Sequence, residues 1–467
     1  MSDTWPTFPD GPLKDKIKEA RRELIAQQNA QIAQNQPVYP QNTQNQGGFK
    51  VPRILQHPGR IRTERLSILN TTYRETNLSI TPDGRYLFFM SGRGQMPWSN
   101  PTHTTYKGRP EHDGDIWFSQ RQGKQWQYPR CLDNSVNTYN GEDEPNISPD
   151  GQTVYFQSWG RSWEQEGGPY YQARLSGTRW SQPTALGGGI HQFFMESARK
   201  NFYQPYATDG ATVSADGKIF IVAAGPTMTG KWISTSAARM PTDNGLTYSD
   251  CPSAPWATNA LPFWPPTANP LLCLQWLRRW GGLDIFKTVI NEDGSVGEVI
   301  NVGAPLNTWL DDYCLVLTAS GEDAYFVREG DIYYADTREA SPELRPFSAT
   351  LMIAGTITDG RSQKGTDARI IIKNAKTGQI IAQSQSNTAS GEYAIVLPTG
   401  ETQFVQDVTK EGLLPFSKSF QVQIREGLNR IESNVTLNAP QVAVKNEPEG
   451  DQEAKADVGE KQGLKEQ

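Results

Sequence analysis

Three acidic residues recur at nearly equivalent places in this chain, Glu75, Glu142 and Asp312, each a few residues after an Asn-Thr pair (Asn70-Thr71, Asn137-Thr138, Asn307-Thr308). A ring of such carboxylates facing a channel would do acid–base work on a glycan or hold a cation. Acid–base catalysis, however, needs partners in unlike environments, and repeated positions supply like ones. The three therefore read as channel carboxylates that cap or pair. A second polar group, His103, Glu111, His112, Asp113 and Asp115, lies in one insert. Zinc would need three or four converging ligands, and no His-Glu-x-x-His spacing is present, so this group reads as loop polarity. No phosphate-cradling glycine loop, Gly-x-Ser-x-Gly elbow or Cys-x-x-Cys occurs. The expectation is no catalytic residue, no metal, no cofactor and no enzyme.

The elements that would carry those residues announce themselves by a repeated phrase. Thr81-Pro82-Asp83-Gly84, Ser148-Pro149-Asp150-Gly151, Ser214-Ala215-Asp216-Gly217 and, more weakly, Thr318-Ala319-Ser320-Gly321 each precede a β-branched and aromatic run. Glycine there supplies the positive φ of a tight hairpin turn. Asn70, Asn137 and Asn307 each stand thirteen residues before position 83, 150 or 320, so the chain is a repeat protein. A third phrase, Asp115-Ile116-Trp117, Asp284-Ile285-Phe286 and Asp331-Ile332-Tyr333, marks another strand. Four antiparallel strands per unit is the blade of a β-propeller. Four blades are visible, and a fifth fits inside the long insertion. The segment Arg65–Leu69 is expected to complete the last blade and close the ring.

The pattern Asn-Thr…Glu…Pro-x-Ser-x-Asp-Gly…Tyr-Phe…Asp-Ile-Tyr…Gly-x-Trp…Pro resembles the TolB-like propeller repeats of bacterial cell-envelope proteins. From 350 to 437 the chain alternates apolar and polar residues over about seven strands, a β-sandwich size. Ala354-Gly355-Thr356-Ile357-Thr358-Asp359 and Gly391-Glu392-Tyr393…Leu397-Pro398-Thr399-Gly400 resemble the carboxypeptidase regulatory-like domain. That module often follows this propeller in OmpA-family envelope proteins; no OmpA-like domain follows here. The fold class is thus all-β, a propeller plus an Ig-like or prealbumin-like sandwich. The expected divisions are 1–50, helix and Gln/Asn-rich linker; 60–345, propeller; 347–438, sandwich; and 440–467, a charged tail of disordered composition.

Length and charge narrow the partners. Net charge is −6 over 467 residues, with Lys and Arg scattered, so no nucleic acid is expected, and no apolar run of about 18 residues suggests a membrane span. The long inserts, roughly 90–114, 157–168, 191–203 and 225–282, all leave one face of the disc. They hold eight of the thirteen tryptophans. Aromatic anchors on loops of a rigid platform suit protein interfaces and also stack on sugars. The expected binding residues are Trp98, Tyr106, Trp159, Trp163, Phe193, Phe194, Trp232, Trp256 and Trp264. Trp276 and Trp280, in a helix-like stretch over Leu271–Trp280, are equally suited to packing. The function expected is a non-enzymatic protein-binding scaffold within a larger assembly, with a glycan-binding or glycan-active protein as the alternative. The resemblance implies the periplasm or envelope. The start, Met-Ser-Asp-Thr-Trp-Pro, carries no secretory signal pattern, which is equally compatible with a cytoplasmic or particle-associated protein. The four cysteines read as free thiols, although Cys251 and Cys273 would be able to pair in an oxidising compartment.

Overall fold

A computed structural model describes residues 53–94, 101–213, 219–225, 234–239, 248–250, 271–276, 282–289, 298–344 and 349–440. The expected N-terminal helix, the charged tail, Trp98, Trp232, Trp256, Trp264, Trp280 and Cys251 lie outside the described residues.

The hydroxyl-x-Asp-Gly phrase folds as the sequence demands. In the first copy Thr81 Oγ1 donates to Asp83 Oδ1 at 2.8 Å, and Arg85 N donates to the same oxygen at 3.1 Å. Gly84 closes the turn at φ 70°. The strands on either side pair as Glu75–Ile80 with Tyr86–Ser91, and the third strand, Asp115–Gln122, lies antiparallel to the second. The same order builds a second blade from Glu142–Ile147, Thr153–Ser158 and Tyr170–Ser176, and a fifth from Asp312–Leu317, Asp323–Arg328 and Asp331–Ala340.

Five such sheets are present among the described residues. The third is Ala207–Val213, Ile219–Gly225, Ser234–Arg239 and Tyr248–Asp250; the fourth is Leu271–Trp276, Asp284–Val289 and Ile300–Asn301. The fifth unit hidden in the insertion is therefore real, and Asp284-Ile285-Phe286 belongs to it. The helix-like stretch is corrected: Leu271–Trp276 is a strand, paired in register with Asp284–Val289. A six-residue apolar run does not separate helix from strand by periodicity, and the open backbone edge of the neighbour decides.

The ring closes through the N-terminal side, as expected, but one step earlier in the chain. Gly59–Arg65 runs antiparallel to Asp331–Ala340, and Arg65 forks onto Asp331 at 2.9 and 3.0 Å. Leu66–Leu69, placed in that strand by the sequence reading, forms a turn instead, with Leu69 N donating to Leu66 O at 3.0 Å. Arg53–Ile54 adds a parallel strand to the fourth blade. Neighbouring blades share apolar cores, such as Leu69, Leu87, Phe89, Trp126, Val316 and Tyr325 between the fifth and first.

After the propeller, Thr350–Asp359 pairs with Glu392–Leu397, Leu428–Glu432 and Val435–Leu437, facing a sheet of Ile380–Gln385, Arg369–Asn374, Gln403–Thr409 and Phe416–Gln421. Leu351, Ile353, Ile370, Ile372, Phe404 and Val408 fill the sandwich. It seats on the tight-turn end of the propeller. Arg430 pairs with Asp83 at 3.0 Å, Gln152 Nε2 donates to Glu392 O at 2.8 Å, and Asn387 Nδ2 donates to Gly177 O at 3.2 Å. The described inserts occupy the opposite end: the hairpin Pro101–Tyr106 with Arg109–His112, the short helix Trp163–Glu166 and the helix Gly188–Lys200.

Candidate functional site

The repeated Asn, Thr and acid form one clasp, built three times. Asn137 grips the third strand of the preceding blade, accepting from Ile116 N at 2.8 Å and donating to Ile116 O at 3.0 Å. Asn70 and Asn307 do the same to Ile332 and Ile285. The next residue, Thr138, donates through N and Oγ1 to Glu142 at 2.6 and 2.7 Å, and Ser158 Oγ donates at 2.9 Å. Thr71 and Thr308 serve Glu75 and Asp312 likewise. An arginine completes each clasp. Arg93 donates to Glu75 at 3.1 Å and to Leu69 O at 2.8 Å; Arg328 donates to Asp312 at 2.5 Å and to Pro305 O at 2.9 Å. Arg161 reaches Ser135 O at 3.0 Å. The sequence reading missed these arginines because they stand at slightly different offsets from the strand.

All three carboxylates are sealed from solvent. Burial pushes Glu142 and Asp312 each up to about 7, and raises Glu75, against the pull of their donors and arginines. Their oxygens are engaged by the turn and the second strand of their own blade, so each acid fixes the turn whose asparagine grips the neighbouring blade. Deeper in the ring each innermost strand bulges, leaving Asn77, Glu144 and Cys314 in left-handed backbone at φ 53°, 55° and 54°. Asn77 Nδ2 donates to Asp143 Oδ1 at 2.6 Å, Cys314 Sγ lies 3.7 Å from Asn77 Oδ1, and Tyr170 donates to Glu144. Cys131 and Cys314 are free thiols.

Between the first and second blades, at the insert end, the surface opens into a cleft of about 210 Å³. The hairpin supplies Glu111 and His112, with Asp113 following; Arg74, Met90, Gln157 and the run Gly141-Glu142-Asp143 are also in the lining. Arg74 pairs with Glu111 at 3.1 Å. Burial raises the Asp113 carboxyl. Gly141 keeps the space open, since a Cβ there would stand 3.3 Å from Asp113 Cβ. The arrangement is acid-rich, with amide and imidazole groups that both donate and accept. Among the described residues no three His, Cys, Asp or Glu side chains converge as a metal ion requires.

The aromatic residues singled out from the sequence divide by burial. Trp163 and Phe194 are core residues, packed with Trp159 and Phe193 between the short helix, the helix Gly188–Lys200 and the second and third blades. Their environment is thus the interior of the insert layer, because rings provide most of the apolar area available there. Tyr106 stands at the hairpin tip, its hydroxyl against Gly330 of the fifth blade. The rings left in solvent among the described residues are others: Phe202 and Tyr203, 93% and 88% exposed after the helix, Tyr128 at 80%, and Tyr139 and Trp309 at 59% and 66%. Tyr139 and Trp309 each follow an Asn-Thr pair, a repeat signal that would have found them.

No protein-family profile matches the chain, and no curated protein sequence matches it either. Among solved structures, a periplasmic gluconolactonase from Pseudomonas aeruginosa aligns with 75% of this chain and 87% of its own, at 10% identity and TM-score 0.31. A gluconolactonase from Xanthomonas campestris aligns with 64% and 99%, at 11% and 0.33, and a putative TolB from Agrobacterium tumefaciens with 72% and 96%, at 16% and 0.31. These comparisons correct the expectation of a non-enzymatic scaffold, because the structures aligned are chiefly gluconolactonases and other hydrolases. At such identities the likeness is one of architecture and brings no activity with it. The fold it shares with those proteins, TolB among them, is the β-propeller.

Proposed function

We propose that the chain binds a small, neutral, polyhydroxylated ligand of the sugar type in the cleft between its first and second blades. The observation that carries this reading is the composition of the cleft walls. Carboxylates accept hydroxyl hydrogens in pairs, while Gln157 and His112 offer groups of both kinds. The Arg74–Glu111 pair leaves no concentrated positive charge for a phosphate. Met90 gives the floor an apolar patch for the C–H face of a ring. Asp113, raised by burial, is the group placed to move a proton on a bound ligand. Arg74 pairs with Glu111 and Tyr106 packs against Gly330 of the fifth blade, so the hairpin wall is held from two sides and the site is pre-formed. We infer also that the sandwich is of the carboxypeptidase regulatory-like type and serves as a non-catalytic support beneath the propeller.

Titration calorimetry of the full chain against a panel of monosaccharides and polyols tests the proposal. Binding of at least one is expected, with Asp113→Asn and Gln157→Ala each weakening it about tenfold, the loss of one good hydrogen bond to a charged or buried partner. Gly141→Val, which fills the cleft, is expected to abolish it. A panel without a single binder, or a binder indifferent to all three changes, removes the proposal.

A further inference from the structure

Tyr139 and Trp309 occupy the same place in two repeats, directly after the clasping Asn-Thr pair; in a third repeat that place holds Thr72. The threonine pins each turn from both sides. Thr138 Oγ1 accepts from Asn140 N at 3.3 Å and bonds Glu142 Oε1 at 2.7 Å. Thr308 Oγ1 accepts from Leu310 N at 3.2 Å and bonds Asp312 Oδ2 at 2.6 Å. The ring between these bonds therefore rides at the apex of a rigid turn and is still mostly in solvent, at 59% and 66% exposure. A large ring ordered without being buried costs stability, and the ordering is met in advance of any partner.

Their positions are as telling as their exposure. Tyr139 stands two residues before Gly141 in the wall of the cleft. Trp309 stands on the same end of the ring, two blade junctions away, because Asn307 clasps the fourth blade to the fifth whereas Asn137 clasps the first to the second. The two rings thus stand on one rim, with the exposed Thr72 at the equivalent turn of the junction between them. Separated flat rings with hydrophilic ground between them suit a ligand that alternates C–H faces with hydroxyl edges, which a peptide does not.

We propose that Tyr139 and Trp309 are stacking platforms for an extended oligosaccharide laid along this end of the ring, with one of its units in the cleft. The proposal rests on the cleft binding sugar-type ligands, and names the longer member of that class.

The test compares glucose and N-acetylglucosamine with cello-, malto- and chito-hexaose, by calorimetry on the full chain and on Tyr139→Ala, Trp309→Ala, the double variant and Asp113→Asn. At least one hexaose is expected to bind about tenfold or more tighter than its own monomer. Each ring removed should cut that advantage about two- to tenfold, the range of one aromatic stacking contact of about 0.5–1.5 kcal/mol, with monomer affinity unchanged. A hexaose no tighter than its monomer overturns the proposal, as does an advantage that survives in the double variant, and in both cases monomer binding leaves the cleft reading standing. Ring-dependent hexaose binding that ignores Asp113→Asn seats no unit beside Asp113 and overturns the proposal. Failure of every sugar to bind overturns both. Circular dichroism checks that the variants fold.

Discussion

Truncating Asn137 to alanine would take from the fully buried Ile116 the side-chain acceptor of its N–H and leave its C=O with Leu132 N alone, at 3.0 Å. A buried backbone group left unsatisfied costs about 1–3 kcal/mol, so a loss in that range is expected in urea unfolding. The acid that follows gives the molecule a pH dependence with a definite sign. Burial holds Glu142 at about 7 in the folded chain, above the ordinary value near 4.3. The folded state therefore keeps a proton that the unfolded chain has already released. That contribution is complete below the unfolded value and is lost as pH rises through about 7. Thermal midpoints should fall between pH 5 and pH 8, and Glu142→Gln should flatten part of that fall. An unchanged slope in the variant would assign the dependence to other groups, Asp312 first among them, since burial holds it at about 7 as well.

At the scale of elements, the ring depends on one strand arriving from far upstream. Gly59–Arg65 completes the fifth blade, and Ile61 enters the core shared by the fourth and fifth blades with Leu306, Phe326, Ala340 and Leu344. Ile61→Asp places an unpaired charge there, which costs several kcal/mol; hydrogen exchange should show Asp331–Ala340 losing protection first. If that strand stays protected, closure does not depend on this pairing. How far the sequence disclosed these elements follows from which ones need special residues. A tight turn needs Gly84, Gly151 or Gly321 at positive φ, so four of the five blades are written in plain view. The fourth has no Asp-Gly phrase between Leu271–Trp276 and Asp284–Val289, and an apolar run alone names no partner. The clasp was half legible: Asn and Thr repeat at fixed spacing, whereas Arg93, Arg161 and Arg328 reach the same place by side chains long enough to blur the register. The cleft was not legible, because the hairpin folding back over Arg74 and Gly92 is a long-range contact, and Glu111, His112 and Asp113 carry no motif spacing. Tryptophan enrichment in the inserts reported packing as much as binding, as Trp159 and Trp163 show.

The whole molecule is two cores joined by a polar seam. The sandwich cluster around Ile353, Ile370 and Phe404 contains sandwich residues alone, and the blade cores contain propeller residues alone. What crosses the seam among the described residues includes ion pairs and hydrogen bonds: Arg430 to the buried side chain of Asp83, the buried Gln152 to Glu392 O, Arg85 to Glu392 at 3.6 Å, and Arg174 Nη2 to Gln385 O at 2.9 Å. Exposed pairs contribute about 0–1 kcal/mol each and are screened by salt, while each body buries an apolar core of its own. Weak coupling between two independently filled cores predicts two unfolding units. Differential scanning calorimetry should resolve two transitions, or one broad transition whose calorimetric enthalpy exceeds the van't Hoff value. Arg430→Glu, which sets like charges face to face at Asp83, should shift the less stable transition by the equivalent of about 1 kcal/mol and leave the other in place. A single transition with matching enthalpies, moved as a whole by Arg430→Glu, would mean that the seam welds the bodies together. The propeller would then draw its stability from the sandwich beneath it as well as from its closing strand and clasps.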